Sequence, residues 1–134
     1  MSTLESLALQ MLGKILVVDD EEDFLSSMKT ILVNAGYDVV CAGTGMRALS
    51  LVEEENPDLV LTDIVMPDLS GLQLAQSIRQ TKGRHIPIIS ITGYPFRDEI
   101  PLTLDDQRLI DISLTKPLQI ADLLSALTIC LESR

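Results

Sequence analysis

The chain has 134 residues, with 20 acidic against 10 basic side chains, a formal net charge of −10, and 46% hydrophobic residues of which few are aromatic. That length fits one domain with a real core, and the negative charge excludes non-specific attraction to nucleic acid or to an anionic membrane surface. No apolar run reaches the roughly 20 residues of a membrane span, and the first basic residue is Lys14, so no secretory leader is expected and the predicted location is the cytoplasm.

Ser2 to Met11 reads as a short helix, because Ser2 and Glu5 have capping-box spacing and Leu4, Leu7, Ala8 and Met11 recur at helical spacing. Residues 1–12 are therefore set apart as a helical extension or linker, with packing on the domain and homodimerisation both open, and residues 13–134 as the domain. Lys14-Ile15-Leu16-Val17-Val18 is an unbroken apolar run closing on Asp19-Asp20, the pattern of a strand buried on both faces. Glu22 to Ala35 places Phe24, Leu25, Met28, Ile31, Leu32 and Ala35 on one helical face, with Gly36 as the stop. A strand over Tyr37 to Ala42, a helix over Gly45 to Glu55 and a strand from Asp58 to Thr62 follow, the last ending on Asp63. Gly71 to Thr81 repeats the helix signal, Pro87 to Ile91 is a strand ending on Thr92-Gly93, and a weaker strand spans Ile112 to Thr115. Lys116-Pro117 then leads into a helix with Ile120, Leu123, Leu124, Leu127 and Leu131 in one stripe. Cys41 and Cys130, with no metal-ligand spacing around them, read as buried, reduced thiols.

Five alternations of strand and helix imply right-handed crossovers, hence a doubly wound α/β fold with a parallel sheet and helices on both faces. In such sheets ligands bind beyond the carboxyl ends of the strands. Asp19, Asp20, Asp63, Thr92 and Lys116 all fall at those ends and are predicted to converge on one rim. Like charges about 4 Å apart repel by about 4 kcal/mol at an effective dielectric near 20, and a divalent cation relieves that repulsion. Oxygen ligands with room for water and a phosphoryl oxygen favour Mg2+ over a dedicated calcium cage. A carboxylate beside a hard cation and a lysine is suited to accept a phosphoryl group, and Asp63 is the candidate nucleophile.

The set Asp19-Asp20, Asp63 with Met66-Pro67 and Gly71, Thr92-Gly93 and Lys116-Pro117 resembles the response regulator receiver family over residues 14 to 132. The resemblance implies a flavodoxin-like strand order 2-1-3-4-5 and a phosphoacceptor rather than a turnover enzyme. It also implies Mg2+ held by Asp20, Asp63, the Val65 carbonyl and, through water, Asp19. Thr92 and Lys116 would contact the phosphoryl group, and the Lys116-Pro117 bond would be cis. The implied donor is a sensor histidine kinase or a histidine phosphotransfer protein, and the listener is an unidentified downstream protein reached without direct nucleic-acid or membrane contact. No output domain is expected in the chain.

The sequence departs from the family at two places. Ser113 stands three residues before Lys116, where relatives that signal by the usual route carry an aromatic residue, and Pro101 interrupts the segment Tyr94 to Asp111, where a shortened or displaced helix is expected. Val65 and Tyr94, two residues after Asp63 and Thr92, are expected to hinder an attacking water and lengthen the phosphate lifetime. The competing readings are a Mg2+-dependent aspartyl phosphatase, a constitutive binding module and a flavin carrier. The first requires a second acid where Val65 stands, the second sits poorly with an intact acceptor set, and the third lacks a hydroxyl- and glycine-rich loop after the first strand. Outside the rim the ordinary readings hold: Glu21, Glu22 and Asp23 favour a helix start, Glu53-Glu54-Glu55 is a solvated helix end, and His85 is a surface residue.

Overall fold

The computed structural model describes residues 12–64, 68–81, 85–93 and 109–132. In chain order these form β1 (Lys14–Val18), α1 (Glu22–Asn34), β2 (Asp38–Ala42), α2 (Gly45–Glu55), β3 (Leu59–Asp63), α3 (Gly71–Thr81), β4 (Ile88–Thr92), β5 (Ile112–Thr115) and α4 (Ile120–Glu132). The strands form one five-stranded sheet in the order β2-β1-β3-β4-β5, with every neighbouring pair parallel. The predicted helix over Ser2 to Met11 and the predicted helix near Pro101 lie outside the described residues.

Alternate side chains of a strand point to opposite faces, so an apolar run in a sheet covered on both sides feeds two cores at once. Ile15, Val17, Leu59, Leu61, Ile89 and Ile91 meet Met28 and Leu32 of α1 and Leu123, Ala126, Leu127 and Cys130 of α4 on one face. Leu16, Val18, Val60 and Ile88 meet Ala48, Leu51 and Val52 of α2 and Leu74, Ala75 and Ile78 of α3 on the other. Each large aliphatic side chain so buried stabilises the fold by about 1.5–3 kcal/mol. The stripe read in the last helix is core at Leu123 and Leu127, but Ile120 at its start is half exposed. Cys41, expected to be buried, is partly exposed on β2, an edge strand with one neighbour. Burial still pushes both thiols up, with Lys29 pulling Cys41 back and Asp111 raising Cys130 further. Both therefore remain protonated, weakly nucleophilic thiols.

Local chemistry explains the boundaries. Gly36, just past α1, adopts φ +103°, which an L side chain rarely takes, and it sets the turn that sends the chain into β2. Thr44 caps α2 by accepting from the Arg47 N–H at 3.1 Å. Ser70 and Gln73 form a reciprocal capping box at α3, with 3.1 Å and 3.0 Å bonds. At the amino edge of the sheet, Lys14 pairs with Glu55 at 2.9 Å, and Arg47 lies 3.6 Å from Glu54, so two members of the predicted solvated acidic run are ion-pair partners. Arg79 of α3 reaches the Leu109 carbonyl at 3.0 Å and Asp111 at 2.9 Å, and Asp111 also accepts from the Ile88 N–H at 2.8 Å. His85 is exposed as expected, yet its Nε2 sits 3.0 Å from Asp111, so it belongs to this clamp.

Ile89, fully buried in β4 between two paired strands, tests the shared core. Ile89→Ala is expected to cost about 2–5 kcal/mol through lost transfer energy and a residual cavity. Urea unfolding should show this as a lower midpoint at an unchanged slope.

Candidate functional site

Register decides which side chains share the carboxyl rim. Val18 lies opposite Thr62, so Asp19, one residue beyond β1, stands beside Asp63 at the end of β3. Asp63 is level with Ile91 on β4, and Thr92 is level with Thr115 on β5, so Lys116 leaves the sheet one step past Thr92. The predicted set therefore comes together from four strands. Asp19, Asp20 and Asp63 each offer a carboxylate oxygen, all within 4.8 Å of one another. Lys116 Nζ donates to Asp19 Oδ2 at 3.2 Å and to Asp63 Oδ2 at 3.4 Å. Thr92 is placed at the rim by its backbone, whereas Val65 and Tyr94 lie outside the described residues.

The carboxylates differ in ways that separate their uses. Asp19 is fully buried, with one oxygen accepting the Glu21 N–H at 2.9 Å and the other holding Lys116. Its lone pairs are thus largely committed to protein donors. Asp20 is exposed, and the Asp63 side chain is 13% exposed, so an incoming group can reach the latter. Burial pulls the Lys116 ammonium down, but the charges of Asp63 and Asp19 and the hydrogen bonds to both outweigh it, and its pKa ends above the ordinary value. Three carboxylates against one ammonium leave an excess of negative charge in a cluster of hard oxygen donors. That donor set fits Mg2+ rather than a softer ion. Asp20, exposed, and Asp63, reachable beside Lys116, are the two carboxylates that the resemblance implies as direct ligands.

The segment that follows Asp63 is held close by a glycine. The Gly71 N–H donates to the Ile64 carbonyl at 2.8 Å, and a Cβ on Gly71 would overlap the Asp63 carbonyl oxygen and stand 2.8 Å from Ile64 Cα. Only hydrogen fits there. Asp68 ties the same segment to the start of α2, accepting from the Gly45 and Met46 N–H groups at 3.1 Å each. Those backbone donors hold the Asp68 carboxyl below the usual carboxylate range. Neither Asp68 nor Phe24, whose ring centroid lies 4.6 Å from Lys116 Nζ, stands out in the sequence. Phe24 reads as one more apolar residue of an amphipathic helix, and Asp68 as an ordinary loop residue. The Lys116-Pro117 bond is cis, as the resemblance implied.

The chain is similar to known proteins along most of its length. The sequence profile described as response regulator receiver domain matches residues 15–128. The alkaline phosphatase synthesis transcriptional regulatory protein PhoP of Bacillus subtilis is 41% identical over 80 residues, covering 60% of this chain and 33% of that protein. The chain thus matches about a third of that relative's length. A response regulator receiver domain protein of Clostridium thermocellum superposes with TM-score 0.81 at 30% identity, covering 90% of this chain and 95% of the other. The receiver domain of Francisella response regulator 1452 gives TM-score 0.78 at 28% identity, covering 90% and 98%.

The close approach at Gly71 yields a test of how the end of β3 is held. Gly71→Ala is expected to destabilise the protein by about 1–3 kcal/mol, because the methyl group must push the Asp63–Ile64 backbone or α3 away. The check is chemical denaturation together with amide chemical shifts, which should move most around Asp63 and Ile64.

Proposed function

The chain belongs to the response regulator receiver domain family, and from that premise we propose that it accepts a phosphoryl group on Asp63 and signals through altered protein contacts. Receivers are phosphoacceptors rather than turnover enzymes, and they bind Mg2+ at an acidic Asp cluster such as Asp19, Asp20 and Asp63. The observation that carries the reading is the reachable Asp63 carboxylate, 3.4 Å from Lys116 and grouped with two further carboxylates at a strand terminus.

The donor is a phosphohistidine of a sensor histidine kinase or of a phosphotransfer protein. An Asp63 carboxylate oxygen bonds to phosphorus as the phosphorus–nitrogen bond breaks. The bonding pair goes to the imidazole, which takes a proton from solvent, and an acyl phosphate remains on Asp63. Asp20, Asp63 and the Val65 carbonyl, with Asp19 through water, would hold Mg2+, which would supply charge neutralisation for the transfer. The Lys116 ammonium, already at the Asp63 carboxylate, shifts onto a phosphoryl oxygen in a charge-assisted hydrogen bond. Thr92, at the end of the adjacent strand, supplies the hydroxyl for another phosphoryl oxygen. Water hydrolyses the acyl phosphate slowly, and Val65 and Tyr94 restrict its approach. The partner that reads the change is a protein, since a chain of net charge −10 does not favour a phosphate backbone.

Incubation with acetyl phosphate tests the assignment. A Mg2+-dependent, base-labile phosphoryl adduct is expected by intact-mass measurement, absent in Asp63→Asn and in the presence of a chelator. An adduct that survives Asp63→Asn, or none under conditions that label a control receiver, would falsify the acceptor assignment.

A further inference from the structure

Lys116 has a third neighbour besides its two carboxylates. Phe24 is the third residue of α1, the helix that begins immediately beyond the Asp19–Glu21 turn. Its partly buried side chain packs against the core between α1 and α4 and presents its ring face to Lys116 Nζ at 4.6 Å from the centroid. That distance lies within the range in which a ring quadrupole attracts an ammonium, and the attraction grows where solvent is partly excluded. The Lys116 side chain is 27% exposed, so it meets that condition.

The ring differs from the other two partners in one respect that matters for the chemistry. Asp19 Oδ2 and Asp63 Oδ2 belong to the carboxylates that bind a cation and, in the case of Asp63, take the phosphoryl group. Those contacts are remade during the reaction. The ring is neutral, accepts no metal and is not consumed, so among the described residues it is a contact of the ammonium that needs no change of partner during the transfer. A flexible lysine stem offers no rigidity of its own, having four methylenes between the backbone and the charge.

Resting on the acceptor role of Asp63, we propose that Phe24 is a positioning residue for phosphoryl transfer, holding the Lys116 ammonium at the rim while the carboxylates change partners. Its contribution acts through Lys116 and through the ring face, so neither an aliphatic residue of similar volume nor the ring without the lysine should supply it.

The test is a cycle of variants in the full chain: wild type, Phe24→Leu, Phe24→Tyr, Lys116→Ala and the Phe24→Leu/Lys116→Ala pair. The rate of Asp63 phosphorylation by acetyl phosphate at saturating Mg2+ should fall about two- to fivefold in Phe24→Leu, the size of one cation–π contact. Phe24→Tyr should restore it, and Phe24→Leu should cost nothing further in the Lys116→Ala background. Independently of activity, the Lys116 ε-methylene protons should show an upfield ring-current shift in the Mg2+-free protein that is lost in Phe24→Leu and kept in Phe24→Tyr. An equal loss in the presence and absence of Lys116 would mean a packing role only and overturn the proposal, as would failure of Tyr to rescue or the absence of a ring-current shift. If the wild type takes no phosphoryl group while the ring-current shift is present, the acceptor role of Asp63 fails, and any role of Phe24 in transfer fails with it. A labelled wild type with an unaffected Phe24→Leu refutes the positioning role alone.

Discussion

The structure turns on one ion pair network that closes the sheet at its carboxyl edge. Lys116, at the far end of β5, donates to a carboxylate 97 positions earlier in the chain, at the end of β1, and to Asp63 between them. Asp19 is fully buried, and a polar group there needs donors on its oxygens to offset the loss of water. The Glu21 N–H and the Lys116 ammonium are those donors. Breaking either would leave a buried charge uncompensated, which is far more costly than losing a surface ion pair. The same network underlies the proposed chemistry, since the groups that pair with one another at rest are those proposed to bind a cation and a phosphoryl group.

Around this network the backbone is packed tightly enough to fix Asp63. Gly71 lets α3 begin against the Asp63 carbonyl, and a Cβ on Gly45 would meet the Leu69 backbone at 2.7 Å. Asp68 bonds both N–H groups at the start of α2, satisfying donors that a helix start leaves open. The segment after the acceptor is thus held from two helices. Such pre-ordering matters because phosphoryl transfer relies on positioning and charge neutralisation more than on covalent chemistry by the protein.

The opposite side of the sheet edge is built differently. Ser90, fully buried in β4, donates its hydroxyl to Ser113 on β5 at 2.9 Å, and the two residues are in direct register. Ser113, where the resemblance leads one to expect an aromatic residue, here satisfies a buried hydroxyl. A serine pair of this kind substitutes a local hydrogen bond for the bulk of a ring, so a readout that depends on a ring turning inward has no counterpart at Ser113. At the amino edge, Arg79 and Asp111 pin both the entry to β4 and the return to β5. The end of the connection that returns to β5 is thus tied at Asp111 to α3 and to β4.

The sequence by itself determined the layers, the approximate strand ends and the residues that meet at the carboxyl rim. Short apolar runs between turn signals, rich in β-branched residues, read as strands buried on both faces, and the helical stripes supply the two covers. Boundaries moved by a residue at Ala35, Tyr37, Asp58 and Pro87, where a hydrogen bond rather than hydropathy decides the end. The order of the strands came from family likeness rather than periodicity, because alternation fixes handedness but not which strand lies beside which. Only the tertiary structure decided the different burial of the carboxylates, since burial of Asp19 and exposure of Asp20 depend on the fold around two adjacent identical residues. The same is true of Phe24 over Lys116, Arg79 with Asp111, and Ser90 with Ser113. Each joins residues far apart in the chain whose local patterns read as ordinary helix, loop or strand, and such contacts exist only once the sheet register brings them together.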